Sequence, residues 1–445
     1  MAVTQQDLGT QSIGKLLLRQ AVPASVGILF MTVNLLIDTI FVGRWLGSLA
    51  IAALTVVTPI AFLIASLGLS IGVGGSSVIS RALGSDDEAA ARSAFAHQIV
   101  MTLLLSAVLV ILGLIFTEDV LALFGAKGKI IAPAKIFFYP ILLAAPLQAF
   151  LTMGNSVMRA EDKAGAAMTT MIIAAMGNIL LDILFIKMFG WGIFGAALAT
   201  AVSFACAFLY LLWFFVFKSK LRLQWGDFKP NTKIAIEVGA LGSTTFARQG
   251  VISILSVLLN HVLFEHGGEH SVTVYGIVSK MLMFALFPVN GIVEGFLPVA
   301  GYNYGAEKFS RVREAIFKAI QYACLLAIAI YIVILIFAAQ IVTLFTTDQS
   351  VMDDTPNALR WVFAASPVIA IQLIGAGYFQ AAGKAVKALM LTLSKQGFFL
   401  IPLILILPRF FDIFGVWVSF PIADVLATIT TALFLKREIN HNLKQ

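Results

Sequence analysis

Two aspartates, Asp38 and Asp182, each lie inside a long apolar run of this 445-residue chain. Each follows an asparagine by four residues, Asn34 and Asn178, so in helical geometry acid and amide share one face. Thr200, in a neighbouring run, offers a hydroxyl, and Asn155 a further amide. Carboxylate, amide and hydroxyl oxygens are hard ligands, suited to a proton or to a small cation such as Na+ and not to soft metals. No Lys or Arg lies deep within the first six apolar runs, so a mobile cation is what remains to neutralise the acids. If the two carboxyls meet, they take up and release protons as a pair. No organic cofactor and no other metal is expected.

The second half of the chain is different. Arg248, Lys280, Lys395, Glu294 and Asp424 fall within its apolar runs, and there acid and base can pair. Arg248, Lys280, Lys395 and Asp424 are the candidates for such structural ion pairs. Met31, Phe150, Met153, Met281, Met283, Phe284 and Phe287, with Glu294, offer a polarizable and adaptable lining for a cavity that takes an amphiphilic small molecule. Cys206 and Cys324 sit in apolar runs and read as small hydrophobes, with no disulfide framework or zinc site. Asp86-Asp87 and Asp353-Asp354 resemble by letter the magnesium-diphosphate pairs of an intramembrane prenyltransferase, yet they fall between apolar runs. No Gly-rich phosphate loop ending in Lys-Ser or Lys-Thr is present, so ATP-driven transport would need a separate subunit.

These side chains need elements to hold them. Hydrophobic residues make up 60% of the chain and charged ones 12%, and mean hydropathy is +0.96, against roughly 25% charged in soluble domains. The apolar runs are each long enough to cross about 30 Å of hydrocarbon as a helix. They are apolar all round, without the alternation a membrane β-barrel shows. The expected fold is an all-α polytopic membrane protein with twelve transmembrane helices, over 16–43, 49–78, 94–116, 131–157, 165–188, 191–217, 235–264, 271–300, 319–345, 356–382, 386–408 and 412–435. The first run reads as an uncleaved span. Twenty Lys and Arg fall on the side of both termini, Lys444 among them, against seven opposite and three within spans. The positive-inside rule then makes both termini cytoplasmic, in a cytoplasmic (inner) membrane. The net charge of +7 is thereby accounted for by topology, without nucleic acid as a partner.

The polar connector, 218–234, leaves six runs on either side, as a lobe over 1–217 and a lobe over 235–445. The halves align at offsets of 220 to 222. Asn34 to Asp38 lies over Ser256 to Asn260, Leu83-Gly84 over Tyr304-Gly305, Leu123-Phe124 over Leu344-Phe345, Asp162-Lys163-Ala164 over Gly383-Lys384-Ala385, and Ile193-Phe194-Gly195 over Ile413-Phe414-Gly415. Five matches in order at one spacing predict two pseudo-symmetric six-helix bundles, with substrate between them. Pro23 is a place where the first helix can bend, four turns before Asp38.

The segment from Glu294 to Val312, centred on Tyr302-Asn-Tyr-Gly305, resembles the signature after the eighth helix of multidrug and toxic compound extrusion (MATE) transporters. Ser80 to Gly84 resembles its first-half counterpart, Asp38 the family's first-helix acid, and Asn178 with Asp182 its fifth-helix pair. The resemblance covers essentially the whole chain and is nearest the DinF-like and MepA-like branches, whose coupling site is in the first lobe. Phe246 to Gln249, Lys395 to Gly397 and Pro421 to Asp424 fit that placement, and the NorM-branch acids reduce here to Glu237 at the mouth of the seventh helix. The resemblance implies a transporter and not an enzyme, exporting cationic and amphiphilic drugs in exchange for H+ or Na+; a monomer is expected. Competing readings are a lipid-linked oligosaccharide flippase, which calls for a more cationic cavity, and a major-facilitator exporter, whose basic loop between the second and third helices is absent.

Overall fold

The structure is a computed structural model and describes residues 6–346 and 348–443; Lys444, counted above, lies outside them. Among the described residues every regular element is helical. We number the spans α1 (Ile13–Leu46), α2 (Ser48–Gly84), α3 (Glu88–Ile115), α4 (Ile131–Ala160), α5 (Ala164–Asp182), α6 (Gly192–Phe217), α7 (232–267) and α8 (269–305). The second half continues with α9 (Phe309–Thr343), α10 (Gln349–Val362 with Ser366–Ala381), α11 (Ala385–Leu393, extended to Ile406) and α12 (Pro408–Asn442). α7 and α8 form one continuous run, Thr232–Gly305, broken in direction at Gly268, whose φ of 63° is left-handed. The two parts of α10 are bent by 48°. Among the described residues ten helices pass as single apolar spans; dividing the Gly268 run and joining the bent pair gives the expected twelve.

The internal repeat reaches the backbone. Left-handed residues occur at Gly47 and Gly268, Asp86 and Glu307, Asp162 and Gly383, and Gly192 and Asp412. Their separations are 221, 221, 221 and 220, the spacing at which the sequence halves align. The turns closing equivalent helices therefore share a positive φ even where an aspartate or glutamate, and not glycine, occupies the position.

The chain folds into two compact units, one of residues 26–245 and one of 1–25 with 246–445. By chain order the lobes would divide at the 218–234 connector; by packing the divisions fall inside helices, in α1 at Ser25/Val26 and in α7 at Thr245/Phe246. In the 26–245 unit, a Cβ on Gly74 of α2 would lie 2.7 Å from the Gly242 nitrogen of α7. In the other unit, a Cβ on Gly295 of α8 would lie 2.6 Å from the Ala21 nitrogen of α1. These are one contact made twice, since both residues shift by 221. Apolar clusters fill each unit: Val42, Leu54, Phe138 and Ile186 in the first, and Leu259, Leu359, Phe363 and Val416 in the second.

Candidate cation site

Asp38 of α1 and Asp182 at the end of α5 are both buried, at 8% and 0% exposure. Both belong to the 26–245 unit, and their carboxyl groups lie close enough to act on each other. Two ionised carboxylates hold no donor to share. Both oxygens of Asp182 and Oδ1 of Asp38 accordingly lack a donor, as does the buried Oδ1 of Asn34. Buried polar atoms are normally satisfied, so three such oxygens on two facing acids, with the Asn34 oxygen one helical turn before Asp38, mark a place for a proton or a cation. Asn178, 3% exposed, donates through Nδ2 to the Thr200 hydroxyl at 3.3 Å, which joins α5 to α6 beside the acids. Lys187, the nearest basic residue after Asp182 in sequence, is turned onto the Trp45 ring 5.9 Å away.

Local structure explains the placement. α5 ends at Asp182 and the chain passes directly into a wide π turn, Ile183–Met188. Such turns loosen the i to i−4 ladder and re-aim the side chains around them. Asn155 is not part of this cluster: its Oδ1 accepts from the Thr170 hydroxyl, and Thr170 precedes Asn178 by eight residues, about 12 Å along the helix.

The α5 and α6 equivalents of the site in the second half are apolar, while Asn34 and Asp38 have Ser256 and Asn260 as counterparts. At an offset of 221, Asn178 and Asp182 correspond to Phe399 and Leu403, which pack against the core cluster that contains Phe420, the counterpart of Thr200 at 220. Charges there are arranged differently. Lys395, in a second π turn, Ser394–Leu400, pairs with Asp424 at 2.7 Å, both side chains largely buried. Arg248 lies within the electrostatic reach of Glu294. Lys280 is exposed.

The residues expected to meet an amphiphile are distributed among several environments. Phe150 and Met153 line a cavity of about 670 Å³ within the 26–245 unit. Met31 packs beside the cluster of Leu151, Met158 and Phe214, and Met281 against the core of the second unit. Phe284 and Phe287 are half-buried, and Met283 is exposed.

Several polar contacts were not legible in sequence. Glu237 pairs with Arg81 at 2.8 Å. Asn303, within the signature segment and fully buried, donates to the Leu8 carbonyl at 3.0 Å. Arg311 donates to the Asn303 side chain at 2.9 Å and to the Gln11 carbonyl at 2.6 Å, and Lys308 to the Gly9 carbonyl at 3.1 Å. Much of the signature thus holds the chain just before α1. Nothing in the spacing of Leu8 to Gln11 announced this, because the acceptors are backbone carbonyls.

With the geometry in hand, comparison with known proteins is direct. The MatE family model matches the chain twice, over residues 23–184 and 246–406, once per half. The multidrug export protein MepA of Staphylococcus aureus (strain N315) is 27% identical over 425 residues, 95% of this chain and 93% of MepA. The MepA of Staphylococcus saprophyticus is 24% identical over 95% of this chain and 94% of its own. Among solved structures, an outward-facing multidrug resistance MATE transporter of the MOP superfamily superposes with a TM-score of 0.94 at 27% identity, each chain covered in full. A MOP superfamily transporter of Pyrococcus furiosus, described as having a binding pocket of reversed polarity, gives 0.93 at 27% identity, again over both full chains. The duplicated match and the full-length superpositions show that this chain belongs to the MatE family of multidrug and toxic compound extrusion transporters.

Proposed function

We propose that this MATE transporter exports cationic and amphiphilic small molecules in exchange for H+ or Na+, and that the exchanged cation binds at Asp38 and Asp182. The observation that carries the proposal is the facing pair of buried acids, three of whose oxygens have no donor. With both acids ionised, repulsion opposes close approach of α1 and α5. One proton gives one carboxyl a donor and lets it bond the other, and a small cation achieves the same through its charge. Asn34, Asn178 and Thr200 supply further oxygens near the pair. The occupied and unoccupied states then differ in how α1 packs on α5, and a conformational equilibrium that differs in cation affinity is shifted by that cation. Drug and cation oppose each other when they favour opposite members of the equilibrium, and linkage makes this coupling reciprocal. Both termini are placed in the cytoplasm, in an inner membrane, on the strength of the basic excess on their side.

The test is drug efflux by cells expressing Asp38→Asn or Asp182→Asn. An amide keeps the shape but cannot exchange a proton and is a weaker cation ligand. Each variant is expected to reach the membrane at parental levels with efflux reduced to background. Parental efflux by both would remove the proposal.

A further inference from the structure

The cavity of about 670 Å³ in the 26–245 unit is lined by α3 (Phe95, Ile99), α4 (Phe150) and α6 (Phe208, Leu212, Phe215) and is otherwise almost entirely apolar. Its one charged lining residue is Arg222, on the strap that leaves α6. We propose that this cavity holds an acyl chain of an anionic phospholipid, whose phosphate is bound by the Arg222 guanidinium.

Three observations fix that occupant. The first is depth. Trp213, near the end of α6, lies 5.6 Å from the Lys218 ammonium, and Trp225 beyond the strap is 94% exposed. Tryptophan and lysine together mark the level at which hydrocarbon gives way to headgroups. The cavity lining runs from Phe208 and Leu212, before Trp213, to Phe217 and Leu221, on either side of Lys218, with Arg222 at the polar end, which is the division of an amphiphile with a long tail and a polar head.

The second is rigidity. The Ser219 hydroxyl donates to Glu161 Oε1 at 2.5 Å and the Leu221 N–H to the same oxygen at 3.3 Å. Glu161 is 4% exposed, Ser219 6% and Leu221 3%. The strap is thus tied by a buried carboxylate to the loop after α4, and Arg222 stands next to the tie. A cation held at the mouth of a preformed apolar cavity loses less freedom on binding than one on a loose loop.

The third is charge. Guanidinium binds phosphate by parallel hydrogen bonds, whereas a cationic drug entering this cavity would meet a like charge at its mouth. Phe150 and Met153, expected above to meet an exported amphiphile, line this cavity, but the charge of Arg222 favours an anionic lipid there over a cationic drug, and the assignment does not depend on the proposed coupling.

Native mass spectrometry of the purified full chain, equilibrated in micelles with equal amounts of phosphatidylglycerol and phosphatidylcholine of identical chains, reads the proposal directly. One phosphatidylglycerol is expected to be retained about tenfold in preference to phosphatidylcholine, a ratio within reach of one charge-assisted pair. Arg222→Ala should abolish the preference. Leu212→Trp, a lipid-facing change that fills the cavity, should lower retention of both lipids. Arg222→Glu, which inverts the charge and leaves the apolar lining unchanged, should reverse the preference. No selectivity in the parent, selectivity preserved in Arg222→Ala, or preferential retention of a cationic dye over both lipids would each overturn it.

Discussion

At the scale of single residues, the acid pair is the part of the site that sequence makes most plain. A carboxylate within an apolar run is costly enough to need a reason, and Asp38 and Asp182 have no basic neighbour to supply one. The i, i+4 asparagines pointed to the faces that carry them. Asn155 was harder to place, because an amide two helical turns away serves equally well as the partner of a threonine, and its partner is Thr170. Glu161 was not legible at all. It stands among charged residues in a short loop, and only the folded strap around Ser219 and Leu221 buries it. Among the second-half charges, pairing rather than coupling governs Lys395 and Asp424. Lys395→Met should strand a buried carboxylate and lower stability by about 3 kcal/mol. The double variant Lys395→Met with Asp424→Leu should recover most of that loss, as read by thermal unfolding in detergent.

At the scale of elements, the helices follow from apolar length, while their ends follow from turn chemistry. Expected and observed spans agree in order; they differ mainly at α9, which begins at Phe309 against the expected 319, and at α10, where Ser366–Ala381 is bent by 48° against Gln349–Val362, while α11 carries a π turn around Lys395. Neither a bend nor a π turn has a periodicity that hydropathy can register. Close packing is equally hidden, since Gly74 and Gly295 look like other glycines until backbone from α7 and α1 is found against them. Gly74→Val and Gly295→Val should each lower folded yield and melting temperature, with Gly239→Ala, which meets nothing within 4 Å, as the silent control in a size-exclusion and thermal assay. The strap after α6 makes a prediction about pH. Burial pushes the Glu161 carboxyl above its ordinary value, against the bonds from Ser219 and Leu221 that pull it down. The folded state therefore binds this proton more tightly than the unfolded one, so the contribution of Glu161 is fully present below the ordinary glutamate value and is lost as pH rises through the folded one. Glu161→Gln should flatten that part of the stability profile in thermal melts across pH 4 to 8.

At the scale of the whole molecule, duplication is visible in the sequence offsets, in the left-handed turns and in the two matches to one family model. The division of α1 and α7 between the packing units was not, because continuity of a helix in sequence says nothing about which neighbours it packs against. Ser25/Val26 and Thr245/Phe246 are equivalent places in the two halves, and the first lies two residues beyond Pro23 in a helix that runs unbroken through it. The duplication is broken at the cation site, where Phe399 and Leu403 take the positions of Asn178 and Asp182. One unit is left with the unpaired acids and the other with ion pairs. The most direct measurement of the central claim is uptake of a fluorescent cation into inside-out vesicles, with pH and sodium gradients imposed one at a time on the parent and on Asp182→Asn. The parent should accumulate dye under one of the gradients and Asp182→Asn under neither. Equal accumulation by the two proteins under the same gradient would contradict the assignment of coupling to this pair.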